Sequence, residues 1–180
     1  MRLNALACKT ALGGTLLITL AFMAHWQGFR INTTPSLPKG LYRLYALHRP
    51  LQRGDIVLTC ASPMQANVNE AIQRGYISSF GDCPGNVVPI MKPIAALAGD
   101  SLSVANDGIW VNGRYLPRSR SMRQDSNGRA LHPMHPGYYR VQPGTVWLVS
   151  SYYERSFDSR YFGPVKLSSI QGVANPVWIW

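Results

Sequence analysis

Ile90-Met91-Lys92-Pro93-Ile94-Ala95-Ala96-Leu97-Ala98-Gly99-Asp100 is an apolar run with a single positive charge inside it. Its length and apolar content predict a central strand over residues 87–98, stopped by a turn at Gly99-Asp100. Side chains alternate faces along a strand, so Lys92 shares a face with Ile90 and Ile94. It is the only basic residue between Arg74 and Arg114. A lysine on such a face is ordinarily an edge residue that snorkels to solvent. The alternative is a buried amine kept for chemistry.

Outward from that strand the chain reads as mainly β. Its 180 residues suit one domain with an inserted sub-lobe, and 16 glycines and 13 prolines supply many turns. Residues 40–47 and 56–60 have strand character, with Arg53-Gly54-Asp55 as the turn between them. Asn112-Gly113 between strand-like flanks is a strong hairpin signal. Tyr138–Val141, Pro143-Gly144 and Val146–Val149 predict a second hairpin. Gly163-Pro164-Val165 leads into a closing strand, and Val177–Trp180 ends in the sheet. Residues 61–85 form a polar insert with a short helix over 65–74. Residues 117–137, carrying Arg118, Arg120, Arg123 and Arg129, read as a solvated, mobile cap loop.

A second stretch carries a candidate nucleophile: Asn32-Thr33-Thr34-Pro35-Ser36-Leu37-Pro38-Lys39-Gly40-Leu41-Tyr42. Proline pushes the residue before it out of the helical region, so Thr34 and Leu37 are expected extended, with Ser36 on a stiff, open segment. A proline-rich linker would share these features.

The N-terminus bears on the compartment. Arg2 and Lys9 precede an uncharged run from Ala11 that continues to Phe29. A cleaved signal peptide is one reading, although a cut after Ala24 would put bulky Phe22 at a position that prefers small residues. The run is nearer the roughly 20 residues that span a bilayer, which predicts an uncleaved anchor over 1–29 with Trp26 at the interface. The positive residues before it predict a cytoplasmic start and an exported domain over 30–180. Cys60 and Cys83 are then left together where disulfides persist, closing the insert at its base. Two free buried thiols are the alternative.

The formal charge is +10, from 18 basic and 8 acidic residues. No nucleic-acid motif accompanies it, so no nucleic-acid partner is expected; an anionic membrane surface or an acidic partner fits better. His132 and His135 lie among prolines without further ligands nearby. They read as solvent-exposed, and no metal or cofactor is expected.

The Ser36 stretch, the Lys92 run and Ser156-Phe157-Asp158-Ser159-Arg160-Tyr161-Phe162-Gly163, in that order, resemble the type I signal peptidase family of Ser/Lys-dyad serine proteases. The arrangement S-L-P-K-G-L-Y is similar to the conjugative-transfer branch, the TraF-type pilin-processing peptidases. Arg53-Gly54-Asp55 and Gly99-Asp100 also match family boxes, and the resemblance runs from about residue 30 to 170. One departure is that Ser150-Ser151-Tyr152 replaces the usual G-D-N before the last box. The resemblance implies a signal-peptidase-like β-sheet domain behind one transmembrane helix. It implies Ser36 as nucleophile, Lys92 as general base, the Thr34 hydroxyl beside the oxyanion, and Ser156 orienting Lys92. Asp158 and Arg160 form a supporting pair, with Asp158 more directly involved in the TraF-type branch.

The activity so implied is cleavage of a pilin precursor, or another membrane-bound preprotein, at the bacterial inner membrane with the catalytic domain in the periplasm. The TraF-type branch further implies closure of the product into a ring through the acyl-enzyme. A general signal peptidase is one alternative. A catalytically silent pilus-assembly scaffold is another.

Overall fold

In the computed structural model, residues 5–180 are described apart from 63 and 66, and the side chains of residues 5, 6 and 8 are also outside the description. Arg2, on which the expected orientation of the N-terminus partly rests, therefore lies outside the described residues.

The chain begins with α1 (Ala5–Trp26), a 22-residue helix. Leu12, Leu16, Leu17, Ile18, Phe22 and Trp26 are all exposed on it. Thr15 and Thr19 interrupt the apolar run, each hydroxyl returning to the carbonyl four residues earlier. Among the described residues no helix is long and apolar enough to cross a membrane. The helix stands where the anchor was expected, but a span is not shown.

From there the protein is mainly β. In chain order the first strands are β1 (Phe29–Asn32), β2 (Gly40–Tyr45) and β3 (Ile56–Thr59). A short helix α2 (Val68–Gln73) and β4 (Ser79–Cys83) make up the insert. Then come β5 (Ile90–Leu97), β6 (Ser101–Ala105), β7 (Gly108–Val111) and β8 (Arg114–Leu116). The last elements are β9 (Gly137–Arg140), β10 (Thr145–Leu148), α3 (Ser159–Phe162), β11 (Val165–Lys166) and β12 (Ile170–Ile179). A seven-stranded sheet runs β1-β2-β12-β3-β5-β10-β11, and a four-stranded sheet runs β8-β7-β6-β9.

β5 is interior to the large sheet, flanked by β3 and β10. Residues 92–96 along it are all buried, so both of its faces are covered. Ile94 joins a core with Val57, Val146, Leu148 and Phe162, whereas Ala95 and Ala96 join one shared with the small sheet. That two-sided burial is why the run is continuously apolar rather than alternating. Pro93 cannot donate to a ladder. It sits beside the place where β10 shifts register between Trp147 and Leu148, and its carbonyl accepts the N–H of Val149.

The Asn112-Gly113 hairpin forms as expected, both residues having positive φ (50° and 78°) between β7 and β8. The second expected hairpin does not form. β9 pairs with β6 in the small sheet, while β10 lies between β5 and β11 in the large one. Val141, buried between the two layers, is the crossing point. Arg53 and Asp100, from two separate sequence boxes, meet as a two-pronged ion pair at 2.8 Å, pinning the turn before β3 to the turn after β5.

Candidate active site

Between β1 and β2 the chain does not run open and extended. Residues 34–37 form a bend and turn. Its organiser is Asn32, buried at 5% exposure. The Asn32 amide donates to the carbonyls of Thr34, Leu37 and Pro38, and its oxygen accepts from the N–H and hydroxyl of Thr34. One side chain thus closes the loop on itself. Gly40 follows because a Cβ there would meet the Trp178 carbonyl at 2.2 Å. Ser36 is consequently 5% exposed rather than open, with its Oγ 3.0 Å from the Thr34 Oγ1. Among the described residues no acceptor takes the Ser36 N–H.

Lys92 projects from the middle of β5 and is 7% exposed. Its amine donates to Ser156 Oγ at 3.0 Å and makes no hydrogen bond to Ser36. Burial pushes its pKa down to about 8, with Asp158 opposing and Arg160 adding to the fall. Deep in an apolar strand face, the charged form loses hydration that no carboxylate contact replaces. The snorkelling reading of this lysine does not fit.

Ser156 is placed by the residues that follow it. Asp158 caps the short α3, accepting from the Arg160 N–H. Asp158 and Arg160 have no exposed surface, and the Arg160 Nε to Asp158 Oδ1 distance is 2.8 Å. Arg160 also donates to the carbonyls of Arg118, Arg120, Glu154 and Ser156. The remaining Asp158 oxygen accepts from the second arm of Arg160 and from the Ser150 N–H. Asp158 hydrogen-bonds to neither Ser36 nor Lys92, and reaches the amine only through its field.

Ser36 and Lys92 line one cleft of about 670 Å³, together with Leu58, Ser156, Tyr161 and parts of the insert and cap. Residues 117–137 form a largely solvent-exposed loop, as expected, but one that is anchored at several points. Tyr76 of the insert donates to Asp125, Arg74 to the Ala130 carbonyl, and Asn67 to the His132 carbonyl. Arg129 pairs with Asp125 at 2.6 Å. The Arg160 contacts hold the start of the same segment from below. A strap is thereby tied over the cleft, with Met122, Gln124, Asp125 and Leu131 facing into it. Cys60 and Cys83 are bridged and close the insert at its base. His132 and His135 are both exposed.

The sequence reading did not find Asn32 and Ser150. Asn32 lies in the quoted stretch, where an Asx side chain two residues before a Thr-Pro pair is a usable turn signal. Ser150, whose hydroxyl donates to the Ser36 carbonyl at 2.6 Å, is 114 residues from it in sequence. No local pattern announces that contact.

The profile described as signal peptidase, peptidase S26, matches residues 4–180. A plasmid transfer protein TraF from Escherichia coli is 38% identical over 180 residues, covering 99% of each chain. A conjugal transfer protein TraF from Agrobacterium fabrum is 42% identical over 165 residues, covering 92% of this chain and 90% of that one. The crystal structure of a signal peptidase I from Enterococcus faecalis is 22% identical with a TM-score of 0.39, covering 69% of this chain and 97% of the other.

Proposed function

The chain belongs to the signal peptidase family, peptidase S26, and from that premise we propose that it is a membrane-anchored serine endopeptidase working through Ser36 and Lys92. The observation that carries this reading is Lys92: a buried amine, pKa about 8, on the same cleft as a serine whose N–H is unclaimed. A lysine at its ordinary value of about 10.4 would be almost wholly charged near neutrality and useless as a base. Desolvation makes a usable neutral fraction available, and Ser–Lys pairs are a known variant of triad chemistry.

In the reaction so proposed, the Ser36 Oγ attacks the scissile carbonyl carbon while its proton passes to neutral Lys92 Nζ. Negative charge on the carbonyl oxygen is met by the Ser36 N–H and by the Thr34 hydroxyl, which must turn its proton from Asn32 Oδ1 to the oxyanion to do so; removing one such donor typically costs about 10²–10³ in rate. Collapse breaks the C–N bond, and Lys92 returns the proton to the leaving amine. A second nucleophile then attacks the ester, again giving its proton to Lys92; collapse breaks the ester C–O bond, and Lys92 returns that proton to the Ser36 Oγ. The Ser36 hydroxyl points at Thr34 in the structure, and catalytic hydrogen bonds commonly tighten only when substrate is seated. Ser156 aims the Lys92 amine, and Asp158 with Arg160 holds Ser156 in place.

The substrate class proposed is a pilin precursor of a conjugative transfer system, in keeping with relatives named for plasmid and conjugal transfer that match nearly end to end. We place the domain outside the inner membrane with α1 as a single-pass anchor. Support comes from the apolar side chains exposed on that helix and from the Cys60–Cys83 bridge, which fits an oxidising compartment. Ser36 follows Phe29 by only seven residues, so the chain holds it within roughly 25 Å of the bilayer. The deciding experiment reconstitutes the full chain with a pilin precursor in phospholipid vesicles. Cleavage by wild type and none by Ser36→Ala is expected. Cleavage that survives Ser36→Ala would rule out the mechanism, and broad processing of unrelated exported precursors would make the protein a general signal peptidase. A wild-type chain that supports pilus assembly without cleaving anything would be a scaffold.

A further inference from the structure

Ser150 stands where the family's boxes carry a different triplet, and the catalytic scheme above gives it no part. It has no exposed surface. Its hydroxyl donates to the Ser36 carbonyl at 2.6 Å, and its N–H donates to Asp158 Oδ2 at 3.0 Å. A second lone pair on the same hydroxyl takes the Tyr152 N–H at 3.2 Å, which fixes the direction of its own proton toward Ser36. No other hydrogen bond reaches the Ser36 carbonyl among the described residues.

We propose that Ser150 is a positioning residue that locks the peptide plane of the nucleophile to the frame that holds the general base. Followed outward, the connection runs from the Ser36 carbonyl through the Ser150 hydroxyl and N–H to Asp158, then through Arg160 to the Ser156 carbonyl, and from the Ser156 hydroxyl to Lys92. The two reacting groups come from different elements, a turn beside β1 and the centre of β5. Asn32 shapes the turn internally, its side-chain hydrogen bonds all staying within the turn. Without Ser150 the turn keeps its shape and loses its register to Lys92. Rotation of the peptide plane that carries the Ser36 carbonyl also disturbs the adjoining backbone on which the serine side chain is mounted.

This role rests on the peptidase reading, and one set of measurements separates the two. Full-length wild type, Ser150→Ala and Ser150→Thr are compared on a pilin precursor in phosphatidylethanolamine–phosphatidylglycerol vesicles between pH 6 and pH 10, with melting temperature recorded for each. For Ser150→Ala the expected result is a kcat lower by between about tenfold and a hundredfold, the scale of a misplacement near 1 Å. KM and the pH midpoint stay where they are, because the variant leaves the cleft and the surroundings of Lys92 intact. Ser150→Thr, which keeps the hydroxyl, restores most of the rate. Should Ser150→Ala not fold, Ser150→Cys, close in shape and a weaker donor, takes its place. No cleavage by wild type sinks the peptidase reading and this role with it. With wild type active, undiminished kcat in Ser150→Ala overturns the positioning role alone. A loss that follows the melting temperature, moves the pH midpoint, or is not repaired by threonine overturns it as well.

Discussion

Replacing Lys92 by methionine should make the folded protein more stable at neutral pH and abolish one specific part of its pH dependence. Methionine keeps an unbranched chain only one heavy atom shorter and removes the charge, in a site flanked by Ile90 and Ile94 on the same face of β5. Burial lowers the lysine from 10.5 to about 8, and at about 1.36 kcal/mol per pKa unit that is an order-of-magnitude cost of about 3 kcal/mol below pH 8. Losing the hydrogen bond to Ser156 offsets about 1 kcal/mol of the gain. Lys92→Met is therefore expected to be more stable than wild type by about 2 kcal/mol at pH 7. Between the folded value near 8 and the unfolded value near 10.5 the unfolded chain holds the extra proton, so wild-type stability rises with pH through that window. The advantage of the variant should shrink by about 3 kcal/mol by pH 10.5 and end slightly negative. Denaturant unfolding followed by tryptophan fluorescence, with the disulfide intact and the two proteins in the same detergent, measures the difference at each pH. Other titrating groups cancel in that difference. A gap that stays constant from pH 7 to pH 10.5 would refute a lowered lysine and remove the physical basis for a neutral base.

The remaining predictions concern activity and the two segments that frame the cleft. Lys92→Arg should be as inactive as Ser36→Ala in precursor cleavage, because a guanidinium cannot be deprotonated in proteins; substantial activity would exclude a neutral base. Wild-type kcat should rise with pH through about 8, as Lys92 loses its proton; a profile flat from pH 6 to pH 9 would contradict that assignment. Replacing Cys60 and Cys83 together by serine opens a 23-residue separation and should cost around 3 kcal/mol in the chain-entropy picture, read as a lower denaturation midpoint. Mass spectrometry of the processed pilin should find a product lighter by one water than the linear fragment, as ring closure by the substrate's own amine requires. Asp125→Asn together with Tyr76→Phe, which loosens the strap from the insert, should shift that product toward the linear form; a product already linear with the intact enzyme would end the cyclisation reading.

The sequence by itself determined the elements whose cause is local. A continuous apolar run made β5 an interior strand, and Asn112-Gly113 with two positive φ values made the β7–β8 hairpin. Alternation put Lys92 on an apolar face, and the ordered boxes put a serine and the Asp158–Arg160 pair around it. Where the reading went wrong, contacts distant in sequence decided the outcome. Val146 to Val149 has a hairpin's local pattern, but its strand is claimed by β5 and β11 in the other layer. Residues 117–137 are polar enough to be a free loop, yet Arg160, 40 residues away, and Tyr76, 49 residues away, tie them down. The prolines beside Ser36 read as a stiff, open segment, but five hydrogen bonds made by Asn32, three donated and two accepted, close it into a turn. The exposure of Ser36 and the bond from Ser150 were likewise settled only when the sheets closed. A side chain's alternation along a strand says which face it lies on, while its hydrogen-bond partner depends on which distant segment is packed against that face.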